Sequence, residues 1–133
     1  MTKARSPSER RVIAELEEKL PEVETVLENG LGQRIAVLVD FASFPPGLEA
    51  LECLESRGFR SVPDGLLQVA SDPAKRQKIL DQIEAIRLVY EGANCSVDRA
   101  VIVENKTLTI AFHWDGDLYI DGDLIASELK RRL

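Results

Sequence analysis

A chain of 133 residues that is 44% apolar and 30% charged has the make-up of one soluble domain, 1–133, and aromatic residues at 5% leave its core to Leu, Ile, Val and Ala. The formal net charge of -6 argues against nonspecific nucleic-acid binding, which needs cations to displace counterions from phosphates, and against docking on anionic lipid. The same charge favours a basic protein partner.

The N-terminal MTKARSPSERR is basic, but no apolar stretch follows it, so it does not read as an export signal. Ser6, Pro7 and Glu9 form a helix start: a cap, a proline suited to the first turn, and the acid of an S-x-x-E capping box. Val12, Ile13, Leu16 and Leu20 continue at helical spacing. Pro21 is expected to end or kink this helix, and residues 21–30 read equally as a further helical turn or a strand.

RIAVLVDF at 34–41 is short, rich in Ile and Val and flanked by glycine. It is expected to be a strand covered on both faces, in or near the centre of the sheet. Its apolar run, 35–39, is too short to cross a bilayer. FPPG then breaks the chain. A helix is expected over 46–57, with Leu48, Leu51 and Leu54 on one face, Glu49, Glu52 and Glu55 on the next, and Gly58 as its C-terminal cap. PDG reads as a turn, and LLQVA as a short strand or one helical turn. Asp72 and Pro73 open a long helix expected over 72–91, with Ile79, Ile83, Ile86 and Tyr90 along one face.

Beyond a polar loop the apolar period becomes two. Strands are expected at 99–104 and 107–114, joined by a turn at Asn105-Lys106, with a third at 118–120. Leu108, Ile110, Phe112 and Trp114 share one face; Thr109, Ala111 and His113 share the other. A three-residue loop, 115–117, keeps Trp114 and Phe112 opposite Leu118 and Ile120, whereas a two-residue loop would mix the faces. A last helix follows over 123–132, acidic at its start and basic at its end, as the helix dipole prefers. The fold class is therefore α+β: a mixed or antiparallel sheet of about four strands, ending in a three-stranded meander, with helices packed mainly on one face.

The chemistry-bearing residues are few. Asp117, Asp121, Gly122 and Glu128 match positions one, five, six and twelve of an EF-hand loop, which makes calcium binding at 117–128 one alternative. Tyr119 at position three offers no carboxylate, and the entering segment is a strand where an EF-hand has a helix. The competing expectation is a turn followed by a helix start, with no metal bound. His113, the single histidine, shares a face with Tyr119 if the longer loop forms. A ligand-binding or enzymatic site on the open sheet face around His113 and Tyr119 is a second alternative. Cys53 and Cys95, at no metal-type spacing, are expected to be free thiols in a cytoplasmic protein without a cofactor. No phosphate-binding loop or catalytic triad is present in the sequence.

The leading expectation is a small acidic protein-binding module without catalysis. Its partner would be a basic protein, met by Glu49, Glu52 and Glu55 and by Asp115, Asp117 and Tyr119. In size, charge and lack of catalytic motifs the chain is similar to bacterial immunity proteins, which neutralise a cognate toxin; this is an analogy of profile, without a shared motif.

Overall fold

A computed structural model describes residues 5–92, 97–116 and 120–133, without the side chains of residues 97 and 98. Helix α1 spans Pro7–Leu31. The Ser6 hydroxyl accepts from the Glu9 amide and the Glu9 carboxylate accepts from the Ser6 amide, completing the capping box. Pro21 neither ends α1 nor turns 21–30 into a strand. It is exposed, and the buried stripe Leu16, Val23, Leu27 and Leu31 holds both halves of the helix against the core.

Strand β1 (Ala36–Asp40) leads through a 3-10 turn, Phe41–Ser43, to helix α2 (Glu49–Cys53). The helix does not stop at Gly58. It passes through a π turn, Leu54–Gly58, directly into α3 (Phe59–Ala70), so LLQVA is helical. Gly58 is in an ordinary helical conformation; a Cβ there would lie 3.2 Å from the ring of Trp114 and 2.9 Å from Leu54. Its role is to admit the buried indole, not to cap.

Helix α4 spans Pro73–Gln82, and Asp72 caps it through the Ala74 amide. The expected long helix ends there, and Ala85–Tyr90 is strand β2. Ile83 and Ile86 satisfy both periods. Ile86 and Leu88 alternate into the core while Arg87 points to solvent, and pairing on both sides decides for the strand. A helical turn, Val97–Ala100 (α5), precedes β3 (Val101–Glu104), and β4 is Thr107–Phe112. Asn105 and Lys106 both have positive φ, 50° and 63°, the type I′ geometry of a two-residue hairpin. The third meander strand at 118–120 falls largely outside the described residues, as does the choice of loop before it. Helix α6 is Gly122–Arg132, capped by Asp121 through the Leu124 amide.

The fold is α+β, with a four-stranded mixed sheet in the order β1-β2-β4-β3. β1, β2 and β4 are parallel, and β3 is antiparallel to β4. Registered rows run Val37, Ile86, Leu108, Val103 and Val39, Leu88, Ile110, Val101 on the face covered by helices. The next row, Leu38, Arg87, Thr109 and Ile102, lies on the opposite face, where Leu38 is 56% and Ile102 38% exposed.

β1 is therefore an edge strand, not a central one. Its apolar run reads as doubly buried because Leu38 sits on the open face, while α1 packs beside the rim. Each rim carries one charged side chain bonded to its backbone. The Ala36 amide bonds toward β2, so Val37 faces away, and its amide donates to the Glu24 carboxylate of α1 at 2.7 Å. Glu24 also holds Arg34. In the I′ hairpin the Glu104–Thr107 and Ile102–Thr109 pairs exchange hydrogen bonds, so Val101 turns its backbone outward, where Arg132 Nε donates to its carbonyl at 3.1 Å.

The closest helix packing is α3 on α6. A Cβ at Gly65 would lie 2.6 Å from Ile125 Cγ2 and 3.0 Å from the Gly122 carbonyl oxygen. Replacing an exposed helical Gly by Ala stabilises by about 1 kcal/mol through propensity. Here the sign reverses: Gly65→Ala should lower stability by about 1–3 kcal/mol through overpacking, read from the urea midpoint. A stabilised variant would refute the close approach.

Arg5 joins the N-terminus to the loop after β1, donating to Glu9 and to the carbonyls of Phe41, Phe44 and Pro45. The Arg5 guanidinium, then the Ser6 amide and hydroxyl, hold the Glu9 carboxyl down at about 2, against an ordinary 4.5. A carboxyl depressed on folding stabilises above its unfolded pKa, and that contribution is lost as pH falls through the folded one. Glu9→Gln should therefore be less stable than the parent at neutral pH, and the gap in melting temperature should close between about pH 4.5 and pH 2.

Candidate functional site

The helices that cover the sheet leave a groove between α1 and the α2–α3 rod, with a volume of about 530 Å³. Its floor follows from helical spacing. On α3, Val62, Leu66 and Val69 face the core, which turns Phe59, Pro63 and Leu67, at i, i+4 and i+8, toward α1. On α1, Val23 belongs to the buried stripe, and Val26 beside it is 48% exposed. An apolar side chain that open, among other apolar side chains, is desolvated only by something else.

The two walls meet at both ends. A Cβ at Gly30 would overlap the Leu67 side chain, so glycine lets α1 touch α3 there. At the other end the Lys19 ammonium pairs with Glu55, which the π turn presents. That hydrogen bond raises the Lys19 pKa first, with Glu55, Glu15 and Glu22 adding through-space attraction against the opposing effect of burial. Lys19 is thus one cation among three carboxylates. Glu22 lines the groove on α1, and Arg60 and Asp64 line it on α3.

Of the residues expected to meet a partner, Glu55 lies in this groove, paired and half-exposed. Glu49 and Glu52 are exposed on α2, beside it in sequence but outside its lining. Asp115 is elsewhere, at the C-terminal ends of the parallel strands, where its carboxylate accepts from the Tyr90 hydroxyl at 2.7 Å. Asp117 and Tyr119 lie outside the described residues, as does Cys95; Cys53 is a half-buried free thiol. His113 is half-buried, stacked on Phe112 at 4.3 Å and lying over Gly116, where a Cβ would overlap its ring. The floor residues Val26, Phe59 and Pro63 escaped the sequence reading. The available signal was Phe59, Pro63 and Leu67 at four-residue spacing, and the proline and PDG suggested a turn instead.

The strand ends are interlocked. Ser43 Oγ donates to the Asp40 carbonyl and accepts from the Tyr90 amide. Trp114, fully buried, donates from Nε1 to the Val89 carbonyl. Arg57, on the π turn, donates to the carbonyls of Trp114 and Gly116 at 2.8 and 2.9 Å. Asp121 and Glu128 are committed as well: Asp121 caps α6, and the buried Glu128 carboxylate accepts from Arg131.

Among the described residues no helix is long and apolar enough to cross a membrane. Compared with known proteins, the chain matches no family model, no curated protein and no solved structure.

Arg57→Ala removes two charge-assisted hydrogen bonds and should cost about 1.5–3 kcal/mol in chemical denaturation. The native fluorescence of Trp114 should stay blue-shifted, since the indole remains in the core. A variant as stable as the parent would show that these bonds contribute nothing net.

Proposed function

We propose that this protein is a binding module for a basic protein partner and that the α1–α3 groove is the surface it uses. The observation that carries this reading is an open apolar floor bordered by carboxylates: Val26 exposed among Val23, Phe59 and Pro63, with Glu15, Glu22 and Glu55 around the single ammonium of Lys19. Apolar area supplies affinity once desolvated, and the surrounding charge selects and steers a cationic partner. Neutralisation of a basic toxin, as an immunity protein does, is the sharpest form of this reading and rests on the same surface.

Calcium binding at 117–128 has less support. A cation would have to take Asp121 from the α6 cap and Glu128 from Arg131. A ligand-binding or catalytic role at His113 is likewise weakened by the imidazole's packing against its own turn.

A photo-reactive amino acid placed at position 26 tests the reading in native cells. The expected product is a cross-link to a protein of positive net charge, suppressed by high salt and absent when the same group is placed at the exposed position 38. Equal cross-linking from both positions, or cross-links to acidic proteins only, would count against it.

A further inference from the structure

The chemistry of the groove specifies more than the sign of its partner. Phe59, Pro63 and Leu67 run about 12 Å along α3, a little over two helical turns. Both walls are helices, whose backbone groups are spent on their own hydrogen bonds save where Pro63 leaves the Phe59 carbonyl without an i+4 amide. An extended segment lying between them would leave its amides and carbonyls without protein partners, whereas a helix brings its backbone already satisfied. The floor offers apolar contact and few hydrogen-bonding groups, which suits side chains repeating at i, i+3 or i+4, and i+7.

The walls differ in charge. The α1 side carries Glu15, Glu18 and Glu22, and its Lys19 is held by Glu55. The α3 side carries Arg60 as well as Asp64. A cationic flank is therefore favoured along α1 and opposed at Arg60.

Resting on the basic-partner reading above, we propose that the groove receives a cationic amphipathic helix of about two turns, with its apolar stripe on Val26, Phe59 and Pro63 and its Lys or Arg flank along Glu22. Val26 and Glu22 are exposed, so altering them does not open the core.

Selection from a phage-displayed library of random sixteen-residue peptides, with each recovered clone then assayed on Val26→Arg, tests this. Recovered peptides should carry the helical apolar repeat with Lys or Arg on one flank, and should gain helical circular dichroism on binding. Their affinity should fall about tenfold or more with Glu22→Lys, and with one proline placed at the peptide's centre, while Arg60→Glu strengthens it. Failure to recover any peptide that depends on Val26, or weakening by Arg60→Glu, overturns the proposal. Cationic peptides that ignore Val26→Arg but are lost on Glu49→Lys/Glu52→Lys overturn the groove while keeping the basic-partner reading. If no cationic peptide is selected at all, both fall.

Discussion

At Gly65 and Gly122 two helices press close because each glycine makes room for a side chain of the other helix, Ile125 and Asp64, and the arrangement of the molecule follows from that contact. It brings α6 against α3 and directs Val62, Leu66 and Val69 into the core. The remaining strip of α3 is left to α1, whose own glycine, Gly30, touches Leu67 at one end only. The groove is the space that remains where this second packing is incomplete. Two helix pairs thus differ in one physical respect. In one, glycines admit the other helix's side chains and the space is filled; in the other, Val26 and Phe59 stand between helices without filling the gap.

The charge of the chain is distributed differently from its count. Glu9 is bound into a capping box, Glu24 binds an amide at a sheet rim, Glu28 holds Arg34, and the buried Glu128 pairs with the exposed Arg131. These acids act on the fold. The freely solvated ones, Glu15, Glu17, Glu18 and Glu22 on α1 with Glu49 and Glu52 on α2, give the surface its field. Net charge alone does not separate the two groups, because the same carboxylate serves either purpose according to which donor the fold brings near.

Local signals were legible where chemistry and geometry correspond one to one. The Ser6 capping box, the Asp72 cap, the Asn105-Lys106 turn and the alternation from Leu108 to Phe112 were all readable from residue types and spacing. Segments that satisfy two periods were not. Ile83, Ile86 and Tyr90 fit a helix stripe, and only pairing with β1 and β4 makes 85–90 a strand. Gly58 and Pro63 look like breakers, yet both lie in a continuous helix, and at Gly58 a Cβ would crowd the buried Trp114 ring. The edge position of β1 was illegible for a similar reason: hydrophobicity shows that a strand is sheltered, not from which direction. The groove required knowing which helix faces which, information that periodicity within one helix does not hold.

The rims of the sheet bear on how the protein behaves in company with its own copies. A strand edge is a template, and stacking edge on edge is how ordered aggregates elongate. Here one rim carries a carboxylate seated on an amide and the other a guanidinium seated on a carbonyl. For one copy to extend the sheet of another, both charges would have to leave satisfied hydrogen bonds before any new ladder formed. Edge-to-edge growth of the sheet is therefore opposed at these two points, while the exposed Leu38 and Ile102 face solvent between them.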